Sequence, residues 1–338
     1  MIARAYHASA GGGLPSLDLR EHEVAMPGRR QALVRMVATS LNYRERMILV
    51  DGVYPLPIKP DLIPLCDGAG DVIAIGPDVT RVRVGDRVAA NVFARWIDGP
   101  FAFAHADQLG GSLDGLLTQY ALLDDDALVA IPPHLSYEEA ATFPCAGVTA
   151  WNAITAGGAL LPGQTVLVQG SGSVSVFALQ FAKLFGARVI ATTSSKAKAP
   201  ALREIGADDV IDSREIPDWD RAVRELTSGR GADRVIDVGG PTTLARSIAA
   251  LAPDGHVALV GGLGGSAALD PAALAGVFRL QRIALGNRAH FEAMNRAVCA
   301  AQLRPIIDRA FAFDDAHQAF RYFFERDAIG KVVIRVRQ

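Results

Sequence analysis

Residues 165–185, TVLVQGSGSVSVFALQFAKLF, decide the fold. The stretch begins with an apolar run that carries no charge, as expected of a parallel strand buried on both faces. Beyond the glycine-rich turn the apolar period becomes that of a helix, because Val174, Ala178, Phe181 and Phe185 share one helical face. The stretch therefore predicts a strand, a tight turn and a helix in direct succession.

The turn itself has the spacing G-x-G-x-x-G/A of a dinucleotide-binding turn, with Ser175 at the last small position. Gly170 allows the tight turn, and Gly172 lets the backbone approach a pyrophosphate. The helix N-terminus adds free N–H groups and a partial positive charge. The alternative is a glycine-rich turn that binds nothing. The residues predicted to hold the phosphates are Gly170, Ser171, Gly172, Ser173 and Val174.

The end of the next strand predicts which dinucleotide is bound. Strand 187–191 is followed by TTSSK, where a carboxylate would accept a hydrogen bond from the ribose 2′-OH of NADH. Hydroxyl groups and a cation suit a 2′-phosphate instead, so Ser194, Ser195 and Lys196 are predicted to favour NADPH. Ser194 or Ser195 could also cap the following helix, and the two roles are compatible.

Composition limits the remaining classes of protein. A length of 338 residues suggests two domains, and a formal charge of −2 leaves no basic stripe for nucleic acid. No apolar run approaches the ~18 residues of a membrane span, and the N-terminal residues lack the apolar segment of a signal peptide. The three cysteines are widely spaced, as in a reducing compartment. We therefore expect a cytoplasmic protein that binds neither nucleic acid nor a membrane.

The chain outside this stretch divides into two kinds of pattern. Residues 1–126 predict short strands and turns, with strands at 32–38, 71–75 and in 79–88, which suggests a small antiparallel barrel or sandwich. Beyond residue 165 strands and helices alternate, as in a doubly wound parallel sheet of six strands. The later strands of that sheet are predicted at 208–212, 233–238, 256–260 and 282–286, and helices at 196–205, 219–227, 242–251 and 271–278.

Glycines follow two of the later strands. Gly239, Gly261 and Gly262 stand at predicted carboxyl ends, where ligands bind in such sheets. They would let a ring or a ribose approach the backbone closely, or they only form turns. The final strand, 330–336, is a candidate to return to the N-terminal domain.

Several motifs, in this order along the chain, resemble the medium-chain dehydrogenase/reductase superfamily, closest to its quinone oxidoreductase-like and zinc-type alcohol dehydrogenase-like members. They are N-Y-R-E (42–45), D-G-A-G (67–70), V-G-D-R-V (84–88), P-C-A-G-V-T-A-W (144–151) and G-K-V-V-I (330–334). The resemblance implies an α/β protein with a GroES-like antiparallel β catalytic domain (1–127 and 289–338) and a Rossmann domain (128–288). It also implies an active site in the cleft between these domains and often a homodimer.

The metal positions depart from the zinc-dependent relatives. Those relatives hold the catalytic ion through an early Cys, a G-H-E motif and a later Cys, and these positions here are Asn42, Cys66-Asp67 and Cys145. Residues 91–111 contain no four-cysteine cluster for a structural zinc. We therefore expect no zinc, with Cys66, Asp67 and Cys145 as the fallback ligand set. Otherwise both cysteines are small buried apolar residues.

A site without a metal restricts the substrate. Hydrogen-bond donors alone must stabilise the developing charge, which a quinone or an α,β-unsaturated carbonyl spreads over several atoms. Asn42, Tyr43 and Tyr54 are the candidate donors, although either tyrosine could be a packing residue. The resemblance places Asn42 and Thr149 near the nicotinamide and ribose. The predicted function is an NADPH-dependent oxidoreductase acting on a small quinone or enone. The alternatives are a zinc alcohol dehydrogenase with a degenerate site and a non-catalytic NADPH-binding sensor.

Overall fold

The computed structural model describes residues 2–262, 271–325 and 328–337. The chain forms two compact units, Met1–Val148 with Gly286–Gln338, and Thr149–Leu285. This division differs from the boundaries predicted after residue 127 and before residue 289, because residues 128–148 pack with the first unit. No helix within the described ranges is long and apolar enough to span a membrane.

Fifteen strands are formed by the described residues. In chain order they are β1 (Ile2–His7), β2 (Asp18–Glu23), β3 (Gln31–Ser40), β4 (Asp67–Ile75), β5 (Arg87–Ala90), β6 (Tyr120–Asp124), β7 (Leu128–Ala130), β8 (Thr165–Gln169), β9 (Arg188–Thr193), β10 (Asp209–Asp212), β11 (Ala232–Asp237), β12 (Leu251–Leu259), β13 (Phe278–Arg282), β14 (Ile307–Ala312) and β15 (Lys331–Arg335).

The α-helices of the same residues are fewer and mostly short. They are α1 (Tyr43–Arg46), α2 (Tyr137–Ala140), α3 (Val148–Thr155), α4 (Ser173–Leu184), α5 (Ala199–Ile205), α6 (Trp219–Leu226), α7 (Leu244–Ala249), α8 (Arg288–Ala301) and α9 (Ala316–Phe324). Two π-helical turns, Met47–Asp51 and Phe143–Gly147, extend α1 and precede α3. The predicted capping box before α2 is present, since Ser136 Oγ accepts from the Glu139 N–H and the Glu139 carboxylate accepts from the Ser136 N–H.

The first unit is built on a seven-stranded sheet with the order β14-β15-β3-β4-β5-β7, and β6 also pairs with β3. All pairings are antiparallel except that of β14 with β15. The C-terminal strand β15 pairs with β3, so its predicted return to the N-terminal domain is confirmed. Ser40 at the end of β3 stands opposite both Asp67 and Val333. Three chain segments that are remote in sequence therefore meet at this point of the sheet.

The second unit contains a six-stranded sheet with the order β10-β9-β8-β11-β12-β13. Every neighbouring pair is parallel, and the order corresponds to 3-2-1-4-5-6 within the unit. Val166, Leu167 and Val168 of the central strand β8 are completely buried. The prediction of a doubly wound parallel sheet opened by residues 165–169 is confirmed.

Three local predictions were wrong. The sixth strand is Phe278–Arg282 rather than 282–286, and the helix predicted for 271–278 is a single 3-10 turn, Pro271–Leu274. The edge strand β13 is exposed and rich in arginine, so it lacks the apolar pattern that marks the inner strands. In 79–88, only Arg87 onward forms a strand, because pairing with β4 and β7 begins there.

Candidate functional site

The turn between β8 and α4 has the predicted geometry. Gly170 has φ +76°, a conformation that favours glycine, and its N–H donates to the Thr192 carbonyl at 2.7 Å. Ser175 is buried, and its hydroxyl donates to the Gln169 carbonyl at 2.5 Å. The small serine thus fastens the first turn of α4 to the end of β8. The N-terminus of a twelve-residue helix consequently lies directly behind the turn.

Gly172, the N-cap of α4, has open space at its Cβ position, although its backbone conformation does not require a glycine. A Cβ built at Gly172 would meet no heavy atom within 4 Å, and its φ of −72° is one that any residue adopts. Among the glycines of 2–262, 271–325 and 328–337, the others with such open space all have positive φ. Packing and backbone strain therefore give no reason for glycine at this position. A pyrophosphate lying against the turn would give one, so these residues fit a bound dinucleotide.

The residues after β9 lie beside this turn, because β9 runs parallel to β8 with Gln169 opposite Thr192. Ser194 is exposed, and Ser195 occupies the N-cap of a short 3-10 turn without a side-chain capping hydrogen bond. Lys196 is exposed and its Nζ lies 3.0 Å from Glu215 Oε1. A 2′-phosphate at this place would compete with Glu215 for the ammonium.

The glycines at the ends of β11 and β12 have a structural reason. A Cβ at Gly239 would lie 2.4 Å from the Thr243 hydroxyl, and one at Gly261 would lie 2.2 Å from the Val238 carbonyl. A Cβ at Gly262 would lie 2.3 Å from the flexible guanidinium of Arg282. Close packing of neighbouring loops explains Gly239 and Gly261 without a ligand. Their contact with a cofactor stays a prediction.

A buried network that sequence reasoning missed joins the same strand ends. Asp237 is completely buried at the end of β11; its Oδ1 accepts from the Gly240 N–H at 2.7 Å and from Thr243 Oγ1 at 2.8 Å. Its Oδ2 accepts from Ser247 Oγ at 2.6 Å, and Ser247 accepts from Gln169 Nε2 at 2.7 Å. The network fixes the loop after β11 to the end of β8. The only signal in the sequence is a lone carboxylate closing an apolar run.

The first unit holds a buried charge cluster, which we define as Ser40, Asn42, Asp67 and Lys331. Asp67 and Lys331 are both completely buried, and Lys331 Nζ lies 2.9 Å from Asp67 Oδ2. The same oxygen accepts from Ser40 Oγ at 2.8 Å and from Asn42 Nδ2 at 2.9 Å. The other oxygen, Oδ1, accepts from the Cys145 N–H at 2.8 Å. Both oxygens of Asp67 are thus occupied by donors.

The fallback metal ligands lie against this cluster. One ligand atom each of Cys66, Asp67 and Cys145 lies within 4.8 Å of the others. Asn42, however, directs its Nδ2 toward Cys66 Sγ at 3.7 Å, so a hydrogen-bond donor faces the thiol. Burial raises the pKa of the Cys66 thiol, and the neighbouring Cys145 thiol raises it further. With both carboxylate oxygens accepting hydrogen bonds and an N–H facing the Cys66 thiol, the donor set does not fit a divalent ion as it is arranged.

The predicted substrate donors differ in their availability. The Asn42 amide is engaged inside the charge cluster, which opposes a role as a donor to substrate. Tyr43 is half-exposed. Tyr54 lies under a buried guanidinium, with Arg44 Cζ 5.1 Å from its ring centroid, and burial raises its pKa. Thr149 is buried in α3 of the second unit. The roles of these four residues stay predictions.

Arg44 and Glu45, adjacent in sequence, are both buried. Arg44 donates to the carbonyls of Leu109 and Gly110 and to Gln108 Oε1, at 2.8 to 3.0 Å. Neither carboxylate oxygen of Glu45 has a side-chain hydrogen-bond partner among the described residues, and a backbone hydrogen bond from Leu65 only partly offsets the effect of burial on its pKa. Burial raises the pKa of Glu45 to about 7, against the opposing charge of Arg44. In the sequence this pair is indistinguishable from a surface ion pair.

Comparison with known proteins agrees with this arrangement. The family described as alcohol dehydrogenase GroES-like domain matches residues 28–133, and the family described as zinc-binding dehydrogenase matches residues 173–299. A zinc-type alcohol dehydrogenase-like protein of Schizosaccharomyces pombe is 38% identical over 96% of both chains. A quinone oxidoreductase of Pseudomonas aeruginosa is 33% identical over 78% of this chain and 75% of that protein.

Solved structures are similar over nearly the whole chain. A Sinorhizobium meliloti protein crystallised as a candidate alcohol dehydrogenase has a TM-score of 0.89 and 37% identity, covering 99% of this chain and 98% of its own. An NAD-dependent alcohol dehydrogenase has a TM-score of 0.88 and 32% identity, covering 99% and 100%. The mycobacterial protein Rv1454c, solved with NADPH, has a TM-score of 0.81 and 27% identity, covering 98% and 99%.

These relatives include alcohol dehydrogenase-like and quinone oxidoreductase proteins. The two matching families cover strands β3 to β7 of the first unit and most of the second unit. The predicted resemblance is confirmed. The chain belongs to the medium-chain dehydrogenase/reductase superfamily of nicotinamide-dependent oxidoreductases.

Proposed function

We propose that this oxidoreductase uses NADPH to reduce a small quinone or an α,β-unsaturated carbonyl, and that it does so without a metal ion. The observation that carries the proposal is Gly172, whose Cβ position is open although its φ of −72° suits any residue. A ligand that needs this space explains the glycine, and bound NADPH would supply the hydride.

The preference for NADPH rests on the three residues after β9. Ser194 and Ser195 offer hydroxyl groups and Lys196 offers a charge, and none of the three is a carboxylate that would repel a 2′-phosphate. Lys196 can exchange its exposed partner Glu215 for a phosphate at little cost, because an exposed ion pair is weak. Relatives include both an NAD-dependent enzyme and an NADPH complex, so the choice depends on this segment rather than on the family.

The metal-free chemistry rests on the buried charge cluster. Each oxygen of Asp67 accepts at least one hydrogen bond, and Asn42 directs an N–H toward the thiol of Cys66. Without an ion to stabilise an alkoxide, the favoured substrates are quinones and α,β-unsaturated carbonyls, because the negative charge that develops during their reduction spreads over a ring or an enolate. Tyr54, held under the Arg44 guanidinium, is the candidate donor to the substrate oxygen.

A direct test is an NADPH oxidation assay after exhaustive treatment with a chelator. We expect reduction of a small quinone or enone to persist, while simple ketones and alcohols react slowly or not at all. Gly172→Val should keep the circular dichroism spectrum of the wild type, since a Cβ at this position meets no protein atom within 4 Å, but should lose NADPH binding. Stoichiometric zinc together with chelator-sensitive alcohol oxidation would contradict the metal-free proposal.

The control for Gly172→Val is Gly163→Ala. Gly163 also has open space but has φ +82°, so its substitution strains a turn remote from the proposed phosphates. It should therefore lower stability and leave NADPH affinity unchanged. If the wild type binds NADPH tightly but reduces none of the quinones, enones and ketones tested, the result would favour a sensor over an enzyme.

We also propose a homodimer formed along β13. This strand is an edge of the six-stranded sheet, and exposed apolar side chains lie on and before it: Leu274, Val277 and Leu280 are 51%, 75% and 42% exposed. A second copy that paired along this unprotected edge strand would also cover these apolar side chains.

A further inference from the structure

Asp237, at the carboxyl end of β11, is a carboxylate in a place where an apolar side chain would be expected. It is completely buried, and the three donors to its side chain are all neutral: the Gly240 N–H, Thr243 Oγ1 and Ser247 Oγ, at 2.6 to 2.8 Å. Burial of a carboxylate is costly unless hydrogen bonds replace its hydration. These donors replace it, and they hold the loop after β11 against one oxygen and helix α7 against the other.

The network continues from Ser247 to the turn after β8. Gln169 Nε2 can only donate, so Ser247 Oγ accepts from it at 2.7 Å and directs its own proton to Asp237. The Oε1 of the same amide accepts from the Gly239 N–H at 3.4 Å. Gln169 directly precedes Gly170. One side chain at the start of the predicted phosphate turn therefore contacts both the loop after β11 and helix α7.

The backbone of Asp237 extends the connection to the next strand. Its carbonyl accepts from the N–H groups of Val260 and Gly261 at 2.8 and 2.9 Å. The carboxyl ends of β8, β11 and β12 are thus joined through one aspartate and its partners. A sheet of this order binds a dinucleotide across these ends, with the pyrophosphate at its first strand. The adenosine half should then lie toward β9, and the nicotinamide half toward β11 and β12.

We propose that Asp237 and Ser247 are positioning residues that hold the two halves of the NADPH site in one arrangement, and that the affinity for the nicotinamide half depends on them. The inference rests on the proposed binding of NADPH and adds a requirement that the phosphate turn alone does not meet. Both side chains are completely buried, so they act through the loop rather than by touching the cofactor. If the loop is in place in only a fraction of the molecules, the apparent affinity falls by that fraction.

The experiment compares NADPH with 2′-phospho-ADP-ribose, which lacks only the nicotinamide. Calorimetric titration gives both affinities for the wild type and for Ser247→Ala, which removes the hydroxyl between Gln169 and Asp237. We expect NADPH to bind about 10-fold more weakly to the variant, as for a loop in place in about a tenth of the molecules. The affinity for 2′-phospho-ADP-ribose should stay unchanged, because the turn and the residues after β9 are intact.

Thr227→Ala is the matched control. Like Ser247, the Thr227 hydroxyl both donates and accepts: it donates to the Val223 carbonyl and accepts from the Gly231 N–H, at 2.8 Å each. Gly231 directly precedes β11, so this hydroxyl lies at the opposite end of that strand from Asp237. Its loss should lower the unfolding temperature and leave both affinities unchanged. Equal weakening of NADPH by the two variants would overturn the proposal.

A second variant decides the inference if Ser247→Ala is unfolded by circular dichroism. Thr243→Val keeps the shape of a partly exposed side chain and removes its hydrogen bond to Asp237. It should show the same selective loss of NADPH affinity. A folded variant that loses both ligands equally, or neither, would contradict the network. Equal affinities of the wild type for the two ligands would also contradict it, because the nicotinamide half would then contribute nothing.

The binding comparison involves no carbonyl substrate, so its failure is distinct from that of the proposed function. A protein that reduces no quinone or enone, but whose Ser247→Ala variant loses only NADPH affinity, would contradict the reductase and support the network. An active reductase whose Ser247→Ala variant keeps its NADPH affinity would support the proposed function and overturn the network.

Discussion

Glu45 should make the free energy of unfolding depend on pH, and the burial of its carboxylate determines the size of the effect. The side chain is completely buried in α1, and no side chain of the described residues donates to either oxygen. Burial raises its pKa from 4.5 to about 7, so the folded protein keeps a proton that the unfolded chain releases. Glu45→Gln removes the titration and keeps the shape of the side chain.

The sign of the effect is set by which state binds more protons. Between pH 4.5 and 7 the unfolded state has lost the proton of Glu45 and the folded state has not, so the free energy of unfolding falls as the pH rises. A rise in pKa from 4.5 to about 7 corresponds to about 3 kcal/mol at ~1.4 kcal/mol per unit. This loss is complete above pH 7 and absent below pH 4.5.

Urea denaturation of the wild type and of Glu45→Gln, at several pH values from 4.5 to 8.5, measures this directly. The difference in unfolding free energy between the two should shift by about 3 kcal/mol in favour of the variant over that range. Other groups titrate in both proteins and cancel in the difference. Glu204→Gln, at an exposed position of α5, controls for the loss of a carboxylate and should show no such shift. A difference that does not vary with pH would refute the reasoning.

Two other predictions concern the second unit. Lys196→Ala should weaken NADPH by roughly tenfold and leave NADH unchanged, whereas Glu215→Gln, which releases the ammonium, should strengthen NADPH. Nicotinamide fluorescence measures both, and equal changes for the two cofactors would remove Lys196 from the phosphate site. Light scattering should give twice the chain mass for the wild type and a monomer for Val277→Lys, because a charge replaces an exposed apolar side chain beside the edge strand. A monomeric wild type would contradict the dimer.

The parts of the fold that the sequence predicted are those encoded by local patterns. The succession of β8, turn and α4 lies within 21 consecutive residues, and each step has its own signal in apolar period or glycine spacing. The parallel pairing of the six-stranded sheet follows from alternating strands and helices. The short strand β5 and the exposed edge strand β13 were misplaced, because their bounds depend on pairing partners rather than on their own residues.

The candidate site could be predicted only in part, because its polar contacts join remote residues. Lys331 and Asp67 are 264 positions apart, and in the alternating pattern of 330–336 a lysine is typical of a solvent-facing position. Arg234, on β11, is also buried, and it donates to the carbonyls of Ile154 and Gly158 at the end of α3. Nothing local distinguishes such residues from surface charges. Only tertiary contacts show that each buried cation has several acceptors to satisfy it.

Residues 91–111, which the family resemblance places at the structural-zinc region of relatives, contain no cysteine and are held by aromatic packing. In residues 91–111 the rings of Phe93, Trp96 and Phe101 lie mutually 5.1 to 5.9 Å apart, and Trp96 Nε1 donates to the Gly99 carbonyl at 2.9 Å. Each ring pair adds about 0.5–1.5 kcal/mol beyond burial, far less than the ~10–16 kcal/mol of a structural zinc.

The smaller contribution is sufficient because the loop is also tied to the rest of its unit. Leu109 N–H donates to the Val92 carbonyl at 2.9 Å, and Arg44 holds the carbonyls of Leu109 and Gly110. Aromatic packing and these backbone hydrogen bonds therefore hold the loop around Trp96, in a region that has no cysteine to bind an ion.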